Sequence, residues 1–239
     1  MMASNDVAIT WLGHAAFSIR TPEGKVVLID PFLSGNPVCP ANLKEPQTVD
    51  VILITHGHGD HLGDAVPIAR RAEPEAVVTT ADISHWLGQQ GVANIVGMNK
   101  GGTIRVADLA VMMVHAEHTS TIMDGDTLIP AGESVGYVIT FSSGLKLYVA
   151  GDTALFGDMA LIGRRYRPDA AILPIGDHFT MGPDDAAEAC RMLGIKQVIP
   201  CHYGTFPLLT GTPEAFRAAA RDISGLKISE LQPGETICI

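Results

Sequence analysis

The segment Thr-His-Gly-His-Gly-Asp-His at residues 55–61 concentrates side chains that can bind a metal. Imidazole nitrogens and carboxylate oxygens are ligands that suit zinc and its first-row neighbours. An apolar run at residues 51–54 comes immediately before it and predicts a buried strand. That strand would deliver three histidines and one aspartate onto a single loop. A polar surface loop would explain one histidine there, but it does not explain the whole segment.

The spacing within this segment predicts ligands for two ions. His56 and His58 are two residues apart, so their side chains point the same way in an extended chain and can share one ion. Asp60 and His61 follow where the chain turns toward a helix, and their different direction suits a second ion nearby. The intervening glycines permit a tight backbone and leave room for metal and solvent.

Further ligands are expected at the ends of other strands. His115 and His118, Asp152, and His202 each follow an apolar run that predicts a strand. Binding residues commonly lie on loops that a rigid scaffold positions. A satisfied buried polar side chain would explain any one of these positions equally well. Beside the histidine-rich segment, the metal-ligand interpretation is favoured for all three places.

The elements around these residues predict an α/β (α+β) chain with two β-rich halves, each flanked by helices. This pattern suggests two sheets packed face to face with helices outside. No linker, repeat or low-complexity stretch interrupts the sequence, so residues 1–239 are predicted to form a single domain. The expected strands are residues 7–12, 15–20, 26–29, 51–54, 76–80, 102–107, 110–115, 134–141, 145–150, 170–174, 197–200 and 236–239, and the expected helices are residues 65–71, 83–90, 183–193 and 213–223.

Composition narrows the class of protein. Of 239 residues, 46% are hydrophobic and 18% charged, which is typical of a folded domain and not of a disordered chain. A net charge of −10 disfavours binding to a nucleic-acid polymer. The four cysteines are scattered, which predicts reduced thiols in a cytoplasmic protein. The N-terminus lacks the basic and apolar regions of a signal peptide. No apolar stretch reaches about 20 residues, so no membrane span is predicted.

Several further segments resemble a known family. The histidine-rich segment, a later histidine, Gly-Asp-Thr at residues 151–153 and a final histidine resemble the metallo-β-lactamase superfamily. Trp-Leu-Gly-His-Ala at residues 11–15, Asp-Pro-Phe-Leu at 30–33, the segment at 174–182 and Pro-Cys-His-Tyr-Gly-Thr at 200–205 resemble its UPF0173 metal-dependent hydrolases. That group is similar to the ascorbate-phosphate lactonase and N-acylphosphatidylethanolamine phospholipase D branches. The resemblance covers about residues 7–207 and implies a four-layer αββα sandwich of two mixed sheets.

The resemblance also implies a ligand set for two divalent ions, zinc first, with manganese, iron and nickel as alternatives. His118 is preferred over His115 because the family's third ligand usually precedes a small hydroxyl residue, here Thr119. Antibiotic-hydrolysing members with two zinc ions commonly have cysteine at the position of Asp152, so β-lactam hydrolysis is not expected. The first ion would be held by His56, His58 and His118, the second by Asp60, His61 and His202, with Asp152 bridging them.

Two such ions lie about 3.5–4 Å apart and lower the pKa of a shared water to about 7. The hydroxide would then attack a small ester, lactone, amide or phosphodiester. Asp60 is expected to orient it and to move a proton, and His178 to contact substrate or donate to an oxyanion. His14, Asp30 and Tyr203 are candidates for contacts to metal ligands or substrate.

Two other functions fit the same motifs. A nuclease or cyclic-nucleotide phosphodiesterase would use the same metal pair, but it would need cations for phosphate, and the net charge opposes a long polymer. A metal-binding sensor without catalysis would not need the full ligand set, including Asp60. A small-molecule hydrolase is therefore the leading expectation.

Overall fold

The computed structural model describes residues 6–239. The sequence predicts no leader segment at the N-terminus. That prediction rests partly on residues 1–5, which lie outside the described range. Within residues 6–239, no helix combines the length and the apolar character needed to cross a membrane.

Fourteen strands and six α-helices follow one another along the described chain. The strands are β1 (Ala8–Gly13), β2 (Ala16–Arg20), β3 (Val26–Ile29), β4 (Val51–Leu53), β5 (Ala76–Thr80), β6 (Ile95–Met98), β7 (Thr103–Val106), β8 (Leu109–Asp124), β9 (Thr127–Thr140), β10 (Lys146–Val149), β11 (Ala170–Pro174), β12 (Gln197–Cys201), β13 (Lys227–Ile228) and β14 (Thr236–Cys238). The helices are α1 (Gly59–Leu62), α2 (Ala65–Ala72), α3 (Ala81–Gln89), α4 (Met159–Tyr166), α5 (Pro183–Leu193) and α6 (Pro213–Ala219), with a short 3-10 helix at Ala41–Leu43.

The strands form two mixed sheets of seven strands each. The order is β14-β1-β2-β3-β4-β5-β6 in the first sheet and β13-β12-β11-β10-β9-β8-β7 in the second. Strands β3 to β6 are parallel to one another, and so are β10 to β13. Parallel neighbours present their carboxyl ends at the same edge of a sheet, so the loops that follow them meet there.

Alternating side chains along each strand separate an inner from an outer core. Leu53 of the first sheet belongs to the same buried cluster as Tyr137 and Ile172 of the second. Its neighbour Ile52 points to the opposite face, where α2 and α3 cover it. Tyr148 lies on the outer face of the second sheet beneath α4 and α5. The two sheets therefore pack face to face with helices outside, and the predicted αββα sandwich is confirmed.

The largest difference from the sequence prediction is the hairpin of β8 and β9. The pattern ended the first strand near His115 and began the second at Ser134, whereas the paired arms continue to Asp124 and Thr127. The added arms are exposed and rich in polar and turn-type residues, so they lack the apolar runs from which buried strands were predicted. The shorter elements β6, β13, α1 and α4 were also absent from the prediction.

Candidate metal centre

Asp30, at the end of β3, positions the start of the histidine-rich loop. Its carboxylate accepts hydrogen bonds from the Thr55 backbone N–H (2.7 Å) and hydroxyl (2.6 Å). The same carboxylate contacts His61 Nδ1 at 2.8 Å. A carboxylate on one ring nitrogen fixes the tautomer and leaves the other nitrogen free to bind a metal. Asp30 thus orients His61 with Nε2 toward the interior of the site.

The loop lies directly beneath the β8–β9 hairpin. A Cβ atom at Gly57 would stand 2.8 Å from Ile122 Cγ1 and 3.0 Å from the Thr121 carbonyl oxygen, so only glycine fits. The Gly57 N–H also donates to the Ser120 hydroxyl at 3.1 Å. The sequence analysis did not single out Ser120, because this contact joins residues 63 positions apart and has no local signal.

His56, His58 and His118 form the first cluster of potential ligands. One ring nitrogen from each lies within 4.8 Å of the others. His56 Nε2 is 3.1 Å from His58 Nδ1, and the His118 ring centre is 5.2 Å from that of either residue. His56 is fully buried, while His58 and His118 lie closer to solvent.

An irregularity in strand pairing separates His118 from His115. The register between β8 and β9 shifts between His115 and Thr119, and such bulges redirect side chains. His118 joins the first cluster, whereas His115 contacts Lys100 Nζ (2.9 Å) and Glu117 Oε2 (3.1 Å). The structure therefore brings His118, and not His115, to the metal centre.

The second cluster contains His14, Asp60, His61 and His202. The His14 and His202 ring centres are 4.0 Å apart, and His14 Nε2 contacts Asp60 Oδ2 at 3.1 Å. The His14 backbone has a left-handed φ of 57°, and its carbonyl accepts from the His202 N–H (2.9 Å) and from the Trp11 indole (2.9 Å). This strained turn thus carries His14, which is fully buried, into the cluster.

Asp152, just after β10, lies between the two clusters. Its Oδ2 atom is 3.0 Å from His202 Nε2 and 3.2 Å from His61 Nε2. The same oxygen is 3.8 Å from His118 Nε2 and 4.0 Å from His56 Nε2. One carboxylate oxygen is therefore close to nitrogens from both clusters.

The donor atoms of this centre fit bound cations. His61 Nε2, His202 Nε2 and Asp152 Oδ1 are buried and have no hydrogen-bond partner within residues 6–239. The two nitrogens are close to Asp152 Oδ2, but the contacts do not have hydrogen-bond geometry. Buried polar atoms normally have partners, and cations bound here would satisfy them.

Burial and charge act differently on the candidate ligands. Burial lowers the pKa of His56, His58 and His118, which keeps these rings neutral and able to bind metal. Burial also disfavours the charged forms of His61 and Asp152, but the charges of Asp152 and Asp30 outweigh it at His61, and those of His202 and His61 outweigh it at Asp152. The pKa of His61 is therefore well above its usual range, and that of Asp152 well below.

Two further candidates lie outside both clusters. The Tyr203 ring stacks on Trp11 with centres 5.1 Å apart, and its buried hydroxyl has no partner among the described residues. The charged groups that act on this hydroxyl include Glu230, and burial is the main reason that its pKa is raised. His178 is exposed on the loop after β11, with its ring against Phe179.

Two aromatic rings that the sequence analysis did not single out flank the second cluster. Phe32 and Phe206 pack edge-on against His14, with ring centres 5.9 and 5.3 Å away. Both side chains are partly exposed. They follow Asp30 and His202 by two and four positions, so their place beside known candidates was the only available signal.

A four-layer αββα sandwich with paired histidine–aspartate clusters at its strand ends defines the class of metallo-β-lactamase-fold hydrolases. A family model described as the beta-lactamase superfamily domain matches residues 25–203. Relatives named UPF0173 metal-dependent hydrolase are 50% identical over 228 residues in Koribacter versatilis (95% of this chain, 96% of that protein) and 50% over 232 residues in Rubrobacter xylanophilus (96% and 95%).

A solved structure with the same fold is Igni18, a metallo hydrolase from the archaeon Ignicoccus hospitalis. It superposes with a TM-score of 0.86 at 33% identity and covers 98% of each chain. The chain belongs to the UPF0173 metal-dependent hydrolases of the beta-lactamase superfamily. The family resemblance seen in the sequence, and its implication of a metal-dependent hydrolase, are confirmed.

Proposed function

We propose that this hydrolase is binuclear, with Asp152 shared between two divalent ions. His56, His58 and His118 would hold the first ion, and Asp60, His61 and His202 the second. The observation that supports this arrangement is the position of Asp152 Oδ2 within 4.0 Å of histidine nitrogens from both clusters. A single ion in the first cluster would leave the buried His61 Nε2 and His202 Nε2 atoms of the second cluster without a partner.

Zinc is the proposed metal. The donors are imidazole nitrogens and carboxylate oxygens, which zinc binds readily in catalytic sites. Manganese, iron and nickel accept similar donors, and metal supply decides among them as much as affinity does. The first cluster offers nitrogen only, whereas Asp60 gives the second cluster a harder oxygen donor.

When bound, the ion pair would lower the pKa of a water between them and polarise the oxygen of the scissile group. Asp60 would accept a hydrogen bond from the attacking water and orient it. Burial opposes ionisation of Asp60, but the His14 hydrogen bond and the charge of His61 hold the pKa of the carboxyl well below its usual range. Asp60 is therefore a carboxylate at neutral pH and serves as an acceptor.

The proposed substrate is a small ester, lactone, amide or phosphodiester. His178 lies on an exposed loop that begins beside His202, because Gly176 is packed against the His202 carbonyl. We assign His178 a contact to substrate, with a ring N–H donating to the oxygen that becomes negative. A larger polymeric anion is disfavoured by the net charge of −10.

Metal analysis of the purified protein tests the proposal. The wild type and a His85→Ala control, altered at an exposed helix position, are expected to bind about two ions per chain. The double variant His58→Ala/Asp152→Ala is expected to retain less than half of that metal. Retention of more than half would contradict the assignment.

A hydrolysis panel then tests the activity. Lactones, thioesters and phosphodiesters are supplied to the metal-loaded protein, and turnover of at least one class is expected. Full metal loading without turnover of any class would support the sensor alternative. Turnover of phosphodiesters alone, together with salt-dependent binding of single-stranded nucleic acid, would support the nuclease alternative.

A further inference from the structure

The loop at residues 176–182, called here the recognition loop, begins beside one proposed ligand, His202, and ends beside the segment of another, Asp152. At its start, a Cβ atom at Gly176 would stand 1.9 Å from the His202 carbonyl oxygen and 3.2 Å from His202 Nδ1. At its end, the Met181 N–H donates to the carbonyl of Thr153, the residue after Asp152, at 3.0 Å. Both ends of the loop therefore lie against segments that carry proposed ligands.

The tip of the recognition loop is held in one strained conformation. Asp177 and His178 both have left-handed backbones, with φ of 62° and 55°, which is uncommon for residues other than glycine. The turn is closed by hydrogen bonds from Asp177 N–H to the Met181 carbonyl (3.0 Å) and from Phe179 N–H to the Asp177 carbonyl (2.6 Å). Strain of this kind is concentrated at sites that bind ligands.

This conformation keeps a large apolar ring in solvent. Phe179 is 51% exposed at the tip of the loop. Leu208, on the segment that follows His202, is 53% exposed. The two segments are joined by a hydrogen bond from the Thr210 hydroxyl to Asp177 Oδ2 (3.3 Å) and by one from Gly211 N–H to the Gly176 carbonyl (3.1 Å). Phe179 and Leu208 form what we call the apolar lip.

The segment that carries Leu208 also reaches the second cluster. Phe206 lies on the same segment as Leu208, and its ring packs on His14, which contacts Asp60. Phe32 packs on His14 as well, 6.5 Å from Phe206 between ring centres. Phe206 thus places a partly exposed ring beside the second cluster, two positions from Leu208, and exposed apolar surface near a site indicates a binding surface.

The segments around the centre supply no cationic side chain. Lys and Arg are absent from residues 30–36, 55–63, 115–133, 151–158, 176–182 and 202–211. Lys100, which contacts His115 beside the centre, is already paired with Glu133. A charged anionic group on the substrate would therefore have only the ions and histidines to bind it. This chemistry favours a substrate that is neutral and apolar away from the scissile bond.

We propose that the substrate carries an acyl chain or aromatic ring next to the scissile bond, and that Phe179 and Leu208 bind this apolar group. The inference rests on the proposed ion pair, which must hold the scissile group while the lip holds its apolar part. It narrows the substrates to neutral, apolar esters, lactones or amides, and it disfavours sugar phosphates and nucleotides.

A series of alkyl hydroxamates tests the inference without requiring turnover. Acetohydroxamate through octanohydroxamate share a metal-binding head and differ only in the length of an apolar tail. Their Kd values are measured by calorimetry on the zinc-loaded full chain. Each added methylene is expected to tighten binding by up to about fourfold, because it removes apolar surface from water.

Matched variants locate the surface that binds the tail. Phe179→Ala/Leu208→Ala is expected to bind acetohydroxamate with the wild-type Kd. It is expected to lose most of the gain in affinity that each added methylene gives the wild type. Met123→Ala removes a side chain that is 64% exposed at the hairpin tip and is expected to keep the full gain. All three substituted side chains are exposed, so the variants are expected to fold.

The outcomes separate the two proposals. Fewer than two zinc ions on the loaded wild type would overturn the ion pair itself. Binding of acetohydroxamate to a chain that carries two zinc ions, with no gain in affinity from longer tails, would leave the ion pair supported and overturn the apolar substrate. If affinity still rises by the full wild-type factor per methylene in the double variant, the assignment of Phe179 and Leu208 is overturned.

Discussion

The two clusters of the metal centre are held in place by different forces. In the second cluster, carboxylates orient the rings: Asp30 contacts His61 at 2.8 Å, and Asp60 contacts His14 at 3.1 Å. In the first cluster, the neutral Thr55 hydroxyl contacts His56 Nδ1 at 3.0 Å, and the backbone is closely packed, because Gly57 is pressed against Ile122. His58 and His118 also lie nearer to solvent than any histidine of the second cluster.

This difference shows that one centre can combine electrostatic and steric preorganisation. Changing a charge should affect the second cluster, whereas adding volume under the hairpin should affect the first. Asp152 is common to both, because its Oδ2 atom lies near nitrogens of each. Substitutions that weaken metal binding at one cluster alone, or at both clusters together, test this difference.

Asp152→Ala is expected to give the largest loss of metal and activity and to affect both clusters equally. Loss of the shared carboxylate removes the central anion from both clusters, so both ions should be lost and activity should fall by about 10³-fold or more. Metal content by mass spectrometry and turnover together measure this. Asp158→Ala, which alters an exposed carboxylate on the same loop, should retain both ions. Retention of one tightly bound ion in Asp152→Ala would show that the clusters do not share this ligand.

Asp30→Asn is expected to weaken the second ion selectively. The amide oxygen can still accept from the Thr55 N–H, but an NH₂ group in place of Oδ2 cannot accept from the Thr55 hydroxyl or from His61 Nδ1. Loss of such an orienting contact typically costs about 10–100-fold in metal affinity. Stepwise chelator competition should show one weakened site and one unchanged site. Asp64→Asn removes a nearby carboxylate that binds Leu33 and Ser34 backbone N–H groups, and it should leave both affinities unchanged. Equal weakening of both ions in Asp30→Asn would contradict independent support of the clusters.

Gly57→Ala is expected to disturb the first cluster. The new methyl group would overlap Ile122 and the Thr121 carbonyl, so the free energy of unfolding should fall by about 1–3 kcal/mol. The first ion should bind more weakly while the second is little affected, as measured by the same chelator competition. Gly59→Ala is the matched control, because a Cβ atom there meets nothing within 4 Å. Similar behaviour of the two variants would show that hairpin packing does not position the first cluster.

A smaller effect is expected from pH in the metal-free protein. Burial lowers the pKa of His14 to about 4, whereas the unfolded chain titrates near 6.5. The unfolded state therefore takes up a proton first, and the free energy of unfolding should fall as pH drops from about 6.5 to about 4. The loss from His14 is at most about 3 kcal/mol. His61, whose pKa is raised, contributes in the opposite direction and loses its contribution as pH rises through that value.

Chemical denaturation of the chelator-treated protein at pH 7 and pH 5 measures this dependence. His14→Gln keeps a polar side chain without a titrating ring, so the difference between the two pH values should be smaller than in the wild type. An unchanged difference would show that His14 does not contribute to it.

Much of the fold and several parts of the site were predictable from local patterns. Short apolar runs identified most strands of the buried sheets, because burial on both faces leaves a continuous apolar signal. The exposed arms of β8 and β9 gave no such signal, and neither did the small helix α4. The contact between Ser120 and Gly57 was not predictable either, because the two residues are 63 positions apart in the sequence.

By itself, the sequence determined the candidate donors, because their residue types and their places after apolar runs are local properties. It identified His56, His58, Asp60 and His61 and placed Asp152 and His202 at strand ends. The family resemblance preferred His118 over His115, and the tertiary structure supplies the physical reason, because the pairing of β8 with β9 shifts between His115 and Thr119.

Tertiary structure also brought His14 to Asp60, packed Tyr203 on Trp11 and placed the ends of the loop that carries Phe179 against the segments of His202 and Thr153. Each of these outcomes depends on which distant backbones lie side by side and in which register. The packing of the two sheets decides that, and no short stretch of sequence encodes it.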